Sequence, residues 1–485
     1  MQFVGYEWLA RQYGTSAVQP LPFRAAISTV RTQGQDGDGP LELYPAVMQP
    51  APTLQGHLTF ALKHEGVHLE SLARLFAAID PGELEEWFAS EPTGQYARRS
   101  CFFYEWLTGK HLRIQATVGG NYVEALDPER CLVSLRAPNV PRWRVRDNLP
   151  GTRAFCPTVR WNTRTRQVAK YACERQIHKI EAELAPQALV ASASAIALEE
   201  SACSFALAGE REATGRIRAF AQWMTEHCGQ GNMPLRGQAL EGLQRRLLTG
   251  GAALGLRCDE TLVKGGDCAD VIEYMAPRSA DLPTMLEGLA SFEEKTIRQP
   301  AVLRAAVLSF GFLFLRPLAD GNGRVSRYLI NDVLRRTGAV PPSIVLPVSR
   351  RLGVEQMVAG LRVGLDSAAM PTWSYPDLTL QAEYLGQVVS EAIEQELPRL
   401  VAMRYEELRV RAAIQEIVAA PDEIIDRLVQ EMLLAADVGQ DLLEEIPALG
   451  DVDVLAQVVE ILGESDLPGA EDLRRTVAPS TRPRG

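Results

Sequence analysis

Eight cysteines are too few for a disulfide scaffold in a chain of 485 residues, and no pair has the C-x-x-C spacing of a zinc or redox site. There is no basic excess either: Lys+Arg number 50 against Asp+Glu 61, a formal charge of −11. Without surplus cations to displace counterions, nucleic acid is not an expected partner. No apolar run approaches the ~18–20 residues of a membrane helix. The longest candidate, residues 305–315, is flanked by Arg304 and Arg316 and reads as a buried core helix, so no membrane association is expected. The opening MQFVGYEWLARQYG has neither the basic start nor the apolar stretch of a signal peptide, which makes a cytoplasmic protein the expectation. No internal repeat is present.

What is there is a chain with 46% hydrophobic residues, enough for two to four domains at ~100–200 residues each. Residues 1–52, rich in Pro, Gly and Gln, read as a loosely structured opening. Helical spacing of apolar residues predicts helices over 57–79 and 92–112, and residues 114–165, punctuated by Gly and Pro, predict loops with a few short strands. Helical patterning covers 176–289, interrupted at 255–274 by two β-prone pieces around Gly265-Gly266, a β-hairpin signature. Helices resume over 281–336 with a break at Pro317–Gly323. Amphipathic segments follow at 379–418 and 421–437. The domains expected are 1–189, 190–370 and 371–467, with a disordered tail over 468–485. The fold class is mainly α.

The chemistry concentrates in Arg316-Pro317-Leu318-Ala319-Asp320-Gly321-Asn322-Gly323-Arg324-Val325-Ser326-Arg327. An apolar helix ends at a proline, and a small loop opens a second helix. Two glycines around Asn322 let the chain turn so that successive N–H groups point one way, an anion nest. The following helix brings its positive end to the same place. Arg324 and Arg327, three apart, share that helix's first-turn face. Cations are disfavoured at a helix N-terminus unless a polyphosphate offsets the repulsion. Asp320 at the loop mouth is the candidate for Mg²⁺, which takes one or two carboxylates beside nucleotide phosphates.

This run resembles the signature of the Fic (Fido-fold) family, HPFxxGNGRxxR, whose members mostly move AMP from ATP to a protein hydroxyl. The second half, Asp320 to Arg327, is intact; the family's His-Pro-Phe is Arg316-Pro317-Leu318 here. Further stretches, Ala61–Glu70, Arg98–Gly109 and Leu346–Ser349, resemble those of longer bacterial Fic proteins. The resemblance spans 57–435 and is strongest near 200–350. It implies a Fic helical core with a β-hairpin flap at 255–274 that lays a protein target beside the site by strand addition, flanked by helical N- and C-terminal regions. It also implies ATP or another nucleotide with Mg²⁺ as cofactor. Gly321, Asn322, Gly323, Arg324 and Arg327 would hold the nucleotide. The family's histidine is the general base, and Arg316 cannot replace it: with a pKa above ~12 a guanidinium has no free lone pair at neutral pH. Many members also carry an inhibitory helix ending S-x-x-x-E-G, whose Glu pairs with the second signature arginine. Here Ser204 and Gly209 are present but Ala208 stands at the Glu position. Glu210 follows two residues on, and ~200° around a helix would face it elsewhere. Lacking both base and brake, the chain is expected to be inactive or impaired in AMP transfer. The alternative is a non-catalytic nucleotide-sensing or partner-binding scaffold.

A different class is raised by His64-Glu65-Gly66-Val67-His68, which matches H-E-x-x-H. On a continuous helix His64 and His68 would share a face and bind Zn²⁺ with Glu65 as general base. Gly66 costs such a helix ~1 kcal/mol relative to Ala, and no further ligand motif follows.

Overall fold

The computed structural model describes residues 1–485 except 16, 18, 38, 115–117, 185–186, 249–254, 265–271, 354–372, 436–437, 472 and 474–485. It is mainly α-helical. Its apolar residues gather into an N-terminal core, a large central core and a small C-terminal helical core, with a minor cluster against the first sheet.

The opening segment is ordered, contrary to its composition. Strands Gln2–Val4, Arg24–Ser28, Thr32–Asp36 and Gly39–Pro45 form one sheet, and Gly5–Tyr13 is a helix. Val4, Ala25 and Tyr44 bury one face against Phe60. A few well-placed apolar residues suffice to order short strands, and the Gly and Gln content conceals them. The single helix expected over 57–79 is broken. Leu54–Phe60 continues into a π-helical turn, Ala61–Glu65, and stops at Gly66, whose φ of 92° requires glycine. A new helix, Leu69–Ala78, starts with His68 as its N-cap. Between 114 and 165 the expected short strands appear at Val123–Glu124, Asn139–Val140 and Val145–Arg146.

The Ala301–Leu315 helix, apolar all round, is sheathed on every side, as such a helix must be. The Asn322–Arg336 helix folds back on it, with Ser326 Oγ donating to Ser309 O at 2.9 Å. Among the described residues one helix, Ala188–Ala206, is long and apolar enough to cross a membrane, contrary to the expectation from apolar runs. Half of that window is buried inside the protein, and Glu200 lies in it fully buried, so it serves here as a core helix. The expected hairpin forms: Leu262–Lys264 pairs antiparallel with Ile272–Met275 through a bulge. Its Gly265-Gly266 turn lies outside the described residues. Of the expected tail, Ala470 and Leu473 are buried at the C-terminal core, and 474–485 lie outside the described residues.

Candidate functional site

The site is built where the Ala301–Leu315 helix ends. Arg316 caps it in the left-handed region (φ 43°, ψ 56°), its N–H donating to Phe312 O at 3.1 Å. The chain then returns under the control of Asn322. The Asn322 side chain accepts the Leu318 N–H at 2.9 Å and donates to Leu318 O at 2.7 Å. Asn322 is thus a clamp on the loop, and only its backbone N–H is left for a ligand. Gly321 (φ 90°) precedes the helix, and Val325 N–H makes the bond back to its carbonyl at 2.9 Å. The N–H groups of Asn322, Gly323 and Arg324 are first-turn donors that no preceding helical carbonyl can reach. A Cβ at Gly323 would stand 3.1 Å from Arg327 Nη1, so a side chain there would press on that guanidinium.

Both arginines are buried and already engaged. Arg327 donates from Nε to Ser204 Oγ at 2.8 Å and from Nη2 to Ser204 O at 2.6 Å. Burial pushes it down to about 10, against the pull of nearby Glu200. Arg324 lies over the Phe205 ring at 5.2 Å. Its guanidinium meets Leu247 O at 3.0 Å, Asp320 Oδ2 at 3.2 Å and Glu210 Oε1 at 2.7 Å. Glu210's other oxygen binds Arg216, which also covers Phe205.

Glu210 is the main correction to the sequence reading, which faced it away from the site. The helix that carries Ser204 ends at Ala206, and the chain turns at Gly209 (φ 79°), so helical angular arithmetic does not extend to Glu210. Ser204 reaches Arg327, whereas the motif would have placed a Glu at 208 there. Ala208 is exposed in the turn, and the carboxylate that enters the site is two residues later and on the first arginine.

Three further residues were not legible. Arg257, buried, donates to the carbonyls of Arg316 (2.8 Å), Asp259 (2.6 Å) and Pro277. Its own N–H bonds Pro317 O at 2.8 Å, beside the Leu256–Leu318 bridge, which ties the hairpin base to the loop. Glu200 accepts Ser349 N–H at 2.8 Å and Ser349 Oγ–H at 2.6 Å, and burial pushes its carboxyl up to about 8. Asn331 pins Leu346 through both backbone groups, at 2.7 and 3.1 Å. All three act through long-range contacts with carbonyls or amides, which leave no local pattern to find.

Arg316 projects beside Tyr274 of the hairpin, half-buried, with its Nε lacking a hydrogen-bond partner. Burial lowers its pKa, yet a guanidinium remains a cation and cannot accept a proton at neutral pH. Asp320 is mostly exposed at the mouth, with Oδ1 accepting Gly321 N–H at 2.5 Å and Oδ2 facing Arg324. One exposed carboxylate suits a metal brought by a nucleotide better than a resident ion. Among the described residues no group of three or more His, Cys, Asp or Glu could hold a metal.

The zinc reading of His64 and His68 fails on geometry. The helix breaks between them, and His68 Nδ1 is used in accepting Ser71 N–H at 3.2 Å as a cap. His64 lies on the preceding π turn, its ring 4.8 Å from Phe60.

A helix N-terminus with a two-glycine turn, a side-chain clamp and two buried arginines is an arrangement chemically able to accept an anion. Residues 234–334 match the Fic/DOC family. The chain is 33% identical over 79 residues to the protein adenylyltransferase fic-1 of Caenorhabditis briggsae and 32% identical over 79 residues to that of Caenorhabditis elegans. Each match covers 16% of this chain and 14% of the relative's length. A crystal structure of a Fic family protein from Desulfovibrio desulfuricans G20 aligns with a TM-score of 0.34 and 18% identity, covering 62% of this chain and 90% of that one.

Proposed function

We propose that the chain holds a polyphosphate nucleotide, ATP or a relative carried with Mg²⁺, on the 320–327 turn, and that it is blocked in transferring AMP to a protein hydroxyl. The observation that supports this is Arg316 at the mouth of an otherwise complete phosphate cradle. A general base there contributes ~10²–10⁴-fold to rate, and a guanidinium supplies none of it. The same cation strengthens phosphate binding, so the replacement favours holding the nucleotide over reacting it. The residues suit the ligand: the glycines leave room at the turn, and Arg324 carries donors now matched to a carboxylate. Mg²⁺ would arrive on the nucleotide with Asp320 as its one protein carboxylate. The hairpin base tied down by Arg257 is the surface on which a protein target would lie.

A second reading, a nucleotide-responsive scaffold, is favoured by the Glu210–Arg324 contact. A phosphate entering the nest competes with Glu210 for Arg324, and displacing it frees the 207–213 turn. Ligand binding would then be read as a change in that turn. Titration calorimetry with ATP and Mg²⁺, followed by intact-mass measurement, tests both. Binding with no added AMP mass is the expected result. An AMP adduct on the protein or a target would overturn the block, and no heat at millimolar ATP would overturn the nucleotide site.

A further inference from the structure

The His64–His68 segment has no part in the 320–327 turn, and its broken helix does not present the two histidines on one face. It forms one wall of a cavity of about 280 Å³ where the N-terminal sheet, the 126–131 loop and the core segments 158–161 and 375–377 meet. Glu65 is the group there that lacks an explanation. Its Oε2 accepts the Tyr6 N–H at 3.0 Å and packs so tightly on Gly5 that a Cβ would lie 1.6 Å away. Its Oε1 is buried with no hydrogen-bond partner. Burial pushes the carboxyl up to about 8, with Glu42 and Glu7 acting in the same direction. An unmatched buried oxygen of this kind costs ~1–3 kcal/mol or more, a cost that a ligand's donor removes. The residue is delivered by a π-helical turn, a distortion found disproportionately at functional sites.

Cations stand on the same turn. Arg130 donates to Lys63 O and His64 O, both at 3.0 Å, the two carbonyls just before Glu65. A guanidinium has five N–H donors, so three remain, with the Asp127 carboxylate at 3.5 Å as one neighbour. Arg31, stacked over Tyr44 at 5.3 Å, adds positive charge near His64. Phe23, Trp161 and Tyr375 supply aromatic walls. A carboxyl seeking a donor, a guanidinium with donors to spare and an aromatic lining share one small cavity.

We infer that this cavity binds a small zwitterion of the α-amino-acid class with an apolar side chain, its ammonium on Glu65 and its carboxylate on Arg130 and Arg31. The inference is independent of the nucleotide site, so either can fail alone. Titration calorimetry on the full chain with phenylalanine, phenethylamine and 3-phenylpropanoate tests it. Phenylalanine should bind, and each half-ligand should bind at least ~10-fold more weakly, because each leaves one charged wall unmatched. Glu65→Gln keeps an acceptor for Tyr6 N–H and should retain the fold while losing phenylalanine. Arg130→Gln, which leaves the Glu65 carboxyl in place, should lose it as well and stands as the check if Glu65→Gln does not fold. ATP binding should be unchanged in both. No heat from any of the common free amino acids at ~10 mM, or phenylalanine binding that survives either substitution, would overturn the inference.

Discussion

Two turns in this molecule look alike on paper and differ in what they become. His64–His68 matches a metal-binding pattern, yet it folds into a π turn, a glycine break and a helix cap. Arg316–Arg327 departs at its first residue from the signature it resembles, yet it folds into a clamped two-glycine turn that opens a helix carrying two buried arginines. The first pattern depends on side-chain spacing along a helix that must be unbroken. The second depends on backbone turns, which glycine and asparagine encode locally. A motif whose meaning rests on backbone conformation survives a substitution nearby, and one that rests on an assumed helix fails at a single Gly66.

The largest effect that would break this comparison lies at Asn322. Asn322→Leu leaves both Leu318 backbone groups buried and unmatched, so unfolding free energy should fall by ~2–4 kcal/mol in urea titrations, with nucleotide binding lost. A stable variant that still binds ATP would remove the clamp from the account. Glu210→Ala comes next. Freeing Arg324 from its internal carboxylate should raise ATP affinity ~10-fold, since the phosphate no longer competes for the guanidinium. The gain should vanish in an Arg324→Ala background, because both changes act through one contact.

On the other turn, His68→Ala should cost ~1 kcal/mol through the lost cap. Neither zinc nor a chelator should shift the melting temperature of the parent or of His64→Ala. A zinc-dependent shift abolished by either histidine substitution would restore the metal reading.

A separate effect is one of pH. Burial pushes the Glu200 carboxyl from its ordinary 4.5 up to about 8. The stability it allows is full below pH 4.5 and declines as pH rises toward 8, because the unfolded chain ionises first. Glu200→Gln should therefore flatten the fall in stability between pH 5 and 8, measured by thermal melts. An unchanged slope would place the pH dependence elsewhere.

The fold's mainly helical class, the buried 301–315 helix and the hairpin were all legible, because apolar periodicity and glycine pairs report them directly. The glycine turn that opens the Asn322–Arg336 helix was legible for the same reason. Glu210 was not, since its position depends on where a helix stops, and the stop at Ala206 is followed by a turn at Gly209 that overrides helical spacing. Arg257, Glu200 and Asn331 were hidden because each bonds backbone groups far along the chain. The N-terminal sheet was masked by a polar composition in which a few residues, Val4, Ala25 and Tyr44 among them, carry the packing.

The central claim is that the cradle is intact and only the proton acceptor at 316 and the carboxylate on Arg324 stand between it and AMP transfer. Intact-mass spectrometry of the Arg316→His, Glu210→Ala double variant, incubated with ATP and Mg²⁺ beside the parent, tests it most directly. The account predicts AMP added to the double variant and none to the parent. A parent that acquires AMP, or a double variant that binds ATP and stays unmodified, would contradict it.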